Sequence, residues 1–126
     1  MARRSIRIQP EGCCTPPLRS PAPVEGGSEA IVSRFKALAD ATRFEIFRLV
    51  AAQDAPVCAC DIVDRFEVSQ PTIAHHMKVL ERAGLITVSR QGVWAYYAVD
   101  PRGLEAIGVV MSGLMPAGLP ASSVVR

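Results

Sequence analysis

The sequence of 126 residues has no uninterrupted apolar run long enough to cross a membrane. A spanning helix needs about 18 to 20 consecutive apolar residues, and the nearest candidate, residues 103–125, is interrupted by Glu105, Pro116 and Pro120. The N-terminus has arginines but no apolar segment behind them, so it does not show the pattern of a secretory signal. From these absences we expect a cytoplasmic protein with no membrane partner.

A strong charge of one sign is also missing. The 14 basic and 12 acidic residues give a net charge of +2, which is too small to predict a nucleic-acid partner by itself. No cluster of His, Arg or Asp accompanies the four cysteines, and there is no cofactor-binding loop. Because a cysteine-dependent reductase or metal transferase would need such groups, we predict that the chain is not an enzyme.

Composition divides the chain into three parts. Residues 1–27 contain five of the ten prolines and end in a Gly-Gly pair, which predicts an extended, mobile arm. Residues 28–116 carry the periodic apolar pattern of one folded domain. Residues 117–126 form a tail with no readable function.

Apolar residues recur at helical spacing through the first half of this domain. A first helix is capped by Ser28 and a second begins near Asp40. A short third helix covers residues 59–66. The fourth covers 71–82, with Ser69 as its cap and Ile73, Met77 and Leu80 buried.

After residue 84 the apolar period changes from 3.6 to 2. The segments "LITVSR" and "VWAYYAV" predict two strands joined across residues 90–92, and a last helix runs from Pro101 to about Met115. The order of elements predicts a winged helix-turn-helix. Its class is α+β, mainly α, with about five helices and a two-stranded β-hairpin wing. The alternative is a helical domain that shares this order without binding DNA.

In a helix-turn-helix the second helix enters the major groove and its N-terminal residues meet the base edges. Lys78 and Arg82, further along that helix, are better placed for phosphates, and Arg90 and Gln91 for the flanking backbone or minor groove. The predicted DNA-binding residues are Ser69, Gln70, Thr72, Ile73, His75, His76, Lys78, Arg82, Arg90 and Gln91. We interpret Trp94, Tyr96 and Tyr97 as strand packing.

Three segments, "FKALADATRFEIFRLV", "VCACDIVDRFEVSQPTIAHHMKVLERAGLI" and "SRQGVWAYYAVDP", closely resemble the ArsR/SmtB family of metal-responsive repressors. The resemblance covers about residues 30–115. It implies a homodimer formed through the first and last helices, and it implies that the protein binds operator DNA and releases it when a metal or metalloid binds.

The resemblance also implies where an effector could bind. One family site uses Asp, His and Glu of the last helix to hold zinc, but that helix has no His or Cys here. Another uses a Cys-x-Cys at the start of the third helix, which "VCACD" matches at Cys58 and Cys60. Arsenic sensors of the family often add a third cysteine three residues later, where this chain has Val63.

The missing ligands are expected from "EGCCT" near the N-terminus, because some family members recruit ligands from such a segment. About 14 residues of Pro-rich chain separate Cys14 from the first helix and span up to about 40 Å. Arsenite takes three thiolates, and Cys13 and Cys14 with Cys58 or Cys60 would supply them. Antimonite should behave alike, whereas a methylated trivalent arsenical needs only two thiolates.

Several alternatives stay open. Cadmium or lead could use all four sulfurs, because soft thiolates select soft ions, or the cysteines could form a redox or persulfide switch. Cys58 and Cys60 could instead be small buried hydrophobes. We expect the helix N-terminus to lower their pKa values, with Asp61 opposing this. Which of the two cysteines binds, and whether the arm reaches its own or the partner subunit, is not decided by the sequence.

Overall fold

A computed structural model describes residues 16–117, which form a winged helix-turn-helix of five helices and three strands. Their order places a helix-turn-helix between a helical pair and a hairpin. The elements are α1 Ser28–Leu38, α2 Ala41–Ala51, β1 Val57–Cys58, α3 Ala59–Phe66, α4 Gln70–Arg82, β2 Ile86–Gln91, β3 Trp94–Val99 and α5 Pro101–Gly113. No helix within this part of the chain has the length and apolar character needed to cross a membrane.

The helices begin where short polar side chains accept backbone N–H groups. Asp40 caps α2 by accepting from the N–H of Arg43, and Asp100 caps α5 by accepting from that of Arg102. Ser69 caps α4 as predicted. The prediction that Ser28 caps the first helix is wrong by one residue, since Gly27 is the cap and contributes no side-chain hydrogen bond.

The core forms where α2, α3, α4 and the sheet meet. Ile73, Met77 and Leu80 are at most 1% exposed, as their spacing predicted. Together with apolar residues of α3 they form the hydrophobic contact between the two helices of the helix-turn-helix. The largest fully buried side chains are Ile46, Ile62, Ile73, Met77, Leu80 and Leu85.

The sheet differs from the predicted two-stranded wing because a third strand joins it. The strand order is β1-β3-β2, with both pairings antiparallel, and Val57 and Cys58 lie opposite Tyr97 and Tyr96. The hairpin turn also lies further along the chain than predicted. Gln91 pairs with Trp94, so the turn consists of Gly92 and Val93. Gly92 has a φ of 64°, a conformation that favours glycine.

Candidate functional site

Two thiols meet at the start of α3. Cys58 ends β1 and is the N-cap of α3, where its sulfur accepts the backbone N–H of Cys60 at 3.4 Å. The two sulfur atoms lie 2.6 Å apart, with the Cys60 thiol donating to Cys58. Cys58 is buried and Cys60 exposed. One soft ion arriving from solvent could therefore reach both sulfur atoms through Cys60.

The pKa of Cys60 is raised above the ordinary thiol value, contrary to the expectation from the helix N-terminus. The largest cause is its hydrogen bond to Cys58, followed by partial desolvation by the surrounding atoms and by the charges of Cys58 and Asp61. Each of these disfavours the thiolate more than the backbone N–H of Asp61 favours it. A thiophilic ion would thus have to displace the proton as it binds.

The thiol pair offers two sulfur ligands and no more within its own surroundings. Among residues 16–117 no group of three or more His, Cys, Asp or Glu side chains is arranged to hold a metal ion. Cys13 and Cys14, the predicted partners of the pair, lie outside the described residues. Soft-ion chemistry fits the two sulfurs, and a third thiolate has to come from another part of the chain or from a second copy.

Cys58 belongs to two structural units at once. Through β1 it pairs with Tyr96 of β3, and through its cap it starts α3, which packs against α4. The Cys58 sulfur therefore lies where the sheet of the wing meets the helix that packs against α4.

The N-terminal turn of α4 presents a polar surface. Ser69, Gln70, Thr72 and His75 are exposed there. The Ser69 hydroxyl accepts the backbone N–H of Thr72 at 3.3 Å and lies 2.8 Å from the Thr72 hydroxyl. These groups can exchange hydrogen bonds with base edges.

Two predicted base-reading residues point elsewhere. Ile73 is 1% exposed and belongs to the core, so its place in the DNA-binding set is corrected. His76 is half-buried, and its Nδ1 lies 3.0 Å from a guanidinium nitrogen of Arg43. Lys78 and Arg82 are exposed, and Arg82 lines a groove of about 550 Å³ between α1 and α4.

Arg43 is the residue that the sequence reading missed. Its Nε donates to the carbonyl of Ala37 at 2.6 Å, its backbone N–H donates to Asp40 at 2.9 Å, and its guanidinium reaches His76. The side chain of this one residue thus joins the end of α1 to α4, while its backbone N–H holds the cap of α2. No spacing in the sequence indicates this contact, because Arg43 and His76 are 33 positions apart.

His76 accepts from Arg43 in its neutral form. Burial lowers the pKa of His76 below the ordinary imidazole value, and the charges of Arg43 and His75 add to this while Asp40 opposes it. A neutral ring with Nδ1 as acceptor is the state that suits the guanidinium donor.

The hairpin presents polar and apolar groups together at its tip. Arg90 and Gln91 are exposed but lie in β2 rather than in the turn. The turn residue Val93 is 91% exposed and Trp94 beside it is 52% exposed, so Trp94 is not the packed strand residue that we predicted. Tyr97 is buried, as predicted.

Apolar side chains remain uncovered on α1 and α5. Val32 and Phe35 of α1 are 43% and 40% exposed. On α5 the exposed large apolar residues are Leu104, Val109 and Met111, followed by Leu114 just beyond its end, while Ile107 packs against the core. These two helices contact each other, so their uncovered residues could serve a single interface.

Comparison with known proteins places this architecture among DNA-binding regulators. Residues 38–89 match a helix-turn-helix domain family. An HTH-type transcriptional regulator of Methanocaldococcus jannaschii is 42% identical over 77 residues, which cover 60% of this chain and 85% of that protein. An arsenical resistance operon repressor of Bacillus subtilis is 44% identical over 67 residues, 53% of this chain and 63% of the repressor. The match thus spans less than two thirds of the Bacillus protein.

Solved structures agree on the fold. An ArsR-like transcriptional regulator from Rhodococcus sp. RHA1 has a TM-score of 0.59 at 27% identity, covering 67% of this chain and 77% of that one. A homodimeric winged helix-turn-helix DNA-binding domain from Mycobacterium bovis has a TM-score of 0.55 at 21% identity, with the same coverages. The second likeness shows the fold alone.

Proposed function

The chain belongs to the ArsR/SmtB family of winged-helix transcriptional repressors, and from this premise we propose that it leaves its operator DNA when trivalent arsenic binds its cysteine thiolates. Its family consists of DNA-binding regulators rather than enzymes. The observation that carries the proposal is the contact between the Cys58 and Cys60 sulfur atoms beside the helix-turn-helix.

Three thiolates complete an arsenite site, and the pair supplies one or two of them. We assign the others to Cys13 and Cys14, which precede the described residues. Residues 16–27 carry no helix or strand, and such a connection spans up to about 40 Å when extended. Antimonite fits the same three sulfurs, and an organoarsenical with two open positions fits Cys58 and Cys60 alone.

DNA recognition is assigned to α4. Gln70 suits adenine, Thr72 can contact a thymine methyl, and Ser69 suits either kind of base. Lys78 and Arg82 supply phosphate contacts, which position the helix without reading sequence. His75 is the one histidine of the pair that is exposed at this surface.

Two copies of the chain would place two α4 helices on one operator. The exposed apolar residues of α1 and α5 provide a surface for this homodimer, with Phe35 and Met111 among its members. The Mycobacterium bovis domain of the same fold is itself homodimeric. A two-fold dimer reads two half-sites about one helical turn apart.

Effector binding has to favour a state that cannot hold DNA. Reversing an equilibrium from 99:1 to 1:99 requires about 5.5 kcal/mol of differential binding. Several metalloid–thiolate bonds can supply this if the DNA-competent state holds the sulfurs further apart or in a different direction. Cys58 is placed to transmit the difference, because it joins β1 to α3.

Native mass spectrometry of the reduced protein, titrated anaerobically with arsenite and separately with cadmium, tests the ligand set. The account expects one arsenic per subunit with three protons lost, and no arsenic on a Cys13→Ser/Cys14→Ser variant. His75→Gln is the control, since it removes an exposed imidazole that has no part in the site, and it should bind arsenic as the wild type does.

Other outcomes identify the alternatives. Tight cadmium with four protons lost, and weak arsenite, would point to a cadmium or lead sensor with a four-thiolate site. If neither ion binds, the metalloid function fails. Release of DNA by a thiol oxidant or persulfide donor would then make the protein a redox switch.

A further inference from the structure

The thiol pair lies beside an aromatic side chain of the sheet. Cys58 stands opposite Tyr96 in the register of β1 and β3. Side chains directly opposite each other in an antiparallel pair project from the same face, with Cβ atoms about 4.5 to 5.5 Å apart. Tyr96 is half-buried, so its ring is only partly covered by the fold. The Cys58 side chain therefore adjoins an aromatic ring that a bound molecule can still reach.

Cys60 borders the same face of the sheet. Its sulfur lies 2.6 Å from the Cys58 sulfur, and Cys60 is exposed. The helix that carries it, α3, contacts β3. An ion held by both sulfur atoms thus has solvent on the side of Cys60 and the Tyr96 position of β3 on the side of Cys58.

The strands place no charged side chain on this face. Residues two apart in a strand share a face, so the register gives the other members of the face, which are Thr87, Ser89, Gln91, Trp94 and Ala98. Arg90 pairs with Ala95 and belongs to the opposite face. An apolar group bound beside Tyr96 therefore displaces water from neutral surface of the described strands rather than from an ion.

We propose that Tyr96 selects the organic substituent of a trivalent arsenical held by Cys58 and Cys60, and that this site favours an aryl substituent over a methyl group. The inference rests on the proposed arsenic-binding function and names the effector class of its thiol pair. Each sulfur replaces one hydroxyl of the hydrated arsenical R–As(OH)2, and each thiol proton leaves with that hydroxyl as water. Two As–S bonds form, arsenic stays trivalent, and the group R keeps the third position.

The third position on arsenic decides the selectivity. An aryl group against the Tyr96 ring forms an aromatic pair, and such a pair changes a binding equilibrium about two- to tenfold. A methyl group covers less of the ring and has no aromatic face of its own. The hydroxyl that arsenite would keep at this position loses hydrogen bonds with water beside the ring.

The test is a competition between two arsenicals for one protein. The protein is the full-length, reduced chain with Cys13→Ser and Cys14→Ser, because the two arm cysteines offer a second pair of thiols. Phenylarsine oxide and methylarsonous acid are added at equal concentration under anaerobic conditions, with dithiothreitol present as a free dithiol. Native mass spectrometry separates the two protein complexes by mass, and the ratio of the two dithiothreitol complexes is the reference.

Two substitutions of Tyr96 separate its ring from its place in the strand. Tyr96→Phe keeps the ring, whereas Tyr96→Val removes it and keeps a residue that favours strands. Thr87→Ala is the control on the same face, since Thr87 pairs with Ala98 rather than with Tyr96. Far-UV circular dichroism checks that each variant is folded.

The phenyl-to-methyl ratio of the protein should exceed that of dithiothreitol about fivefold. Tyr96→Phe and Thr87→Ala should keep this excess, and Tyr96→Val should lose most of it. Arsenite should not bind the protein that lacks Cys13 and Cys14, because two thiols are left for an ion that takes three.

Three results would overturn the selection by Tyr96. The first is a phenyl-to-methyl ratio equal to that of dithiothreitol, a comparison that needs no variant of Tyr96. The second is an unchanged ratio in folded Tyr96→Val. The third is no organoarsenical on the protein without arm cysteines while the wild type binds arsenite. Failure of the wild type to bind arsenite or either organoarsenical would instead overturn the proposed function itself.

Discussion

The substitution Arg43→Met should lower the free energy of unfolding by about 2 to 3 kcal/mol. The guanidinium donates to the carbonyl of Ala37 at 2.6 Å and to His76 at 3.0 Å, and a hydrogen bond from a charged group contributes about 1.5 to 3 kcal/mol. Two full contacts would contribute about 3 to 6 kcal/mol, but both are partly buried and water can replace them in part, so the expected loss is smaller than this sum. Methionine keeps most of the apolar stem, so the loss reports the polar contacts.

A matched control lies on the same helix. Arg48 pairs with Glu45 at 3.0 Å, but the two side chains are 63% and 51% exposed. Exposed pairs of this kind contribute about 0 to 1 kcal/mol, so Arg48→Met should change stability by no more than about 0.5 kcal/mol.

Urea unfolding followed by far-UV circular dichroism, at one fixed protein concentration, measures both variants. A double-mutant cycle of Arg43→Met with His76→Leu should give a coupling of about 1 kcal/mol, since the two side chains share one contact. Equal losses for Arg43→Met and Arg48→Met would refute the role of Arg43 in fixing α4. A coupling of zero would refute its link to His76.

Two further predictions concern packing and pH. Gly103→Ala should destabilise the fold by about 2 kcal/mol, because a Cβ there would clash with the backbone carbonyl oxygen of Gly84. Gly113→Ala in the same helix meets nothing within 4 Å and should be neutral to slightly stabilising. Thermal melts compare the two variants, and equal melting temperatures would contradict the close packing at Gly103. Stability should fall as the pH drops below about 6.5, because the unfolded chain binds a proton at its histidine while burial keeps His76 neutral in the fold. The urea midpoint should depend less on pH in His76→Gln than in the wild type between pH 7 and about 5. An unchanged slope would contradict the prediction that His76 stays neutral in the folded protein.

Local signals in the sequence were sufficient for the helix-turn-helix. The bounds of the third helix and the cap at Ser69 followed from short-range chemistry, and the structure places both where the pattern predicted. The winged fold and the family resemblance are confirmed by the comparisons. Apolar spacing alone identified Met77 and Leu80 as core residues.

Non-local contacts could not be predicted in the same way. The strand β1 has two residues and exists because Val57 and Cys58 meet Tyr97 and Tyr96, about 40 positions away. The contact of Arg43 with His76 likewise joins residues that are far apart in the sequence, so no local pattern predicts it. The expected fall in the pKa of Cys60 was wrong because its nearest neighbour is another thiol, which outweighs the helix N-terminus.

The DNA-binding and cysteine assignments remain predictions, apart from Ile73, which the core excludes. His75 and His76 are adjacent on α4, and only the surrounding structure shows which of them is exposed. His75 is exposed, whereas His76 faces Arg43. A helical period predicts that two neighbours point in different directions but does not say which one another element will cover.

The most direct test of the account is the release of a labelled operator duplex by arsenite, followed by fluorescence anisotropy with the reduced protein. The wild type should lose the duplex as arsenite approaches one equivalent per subunit. A Cys58→Ser/Cys60→Ser variant should bind the duplex with similar affinity and retain it at the same arsenite concentrations. Release of DNA from that variant at wild-type arsenite concentrations would contradict the claim that the thiol pair beside the recognition helix controls DNA binding.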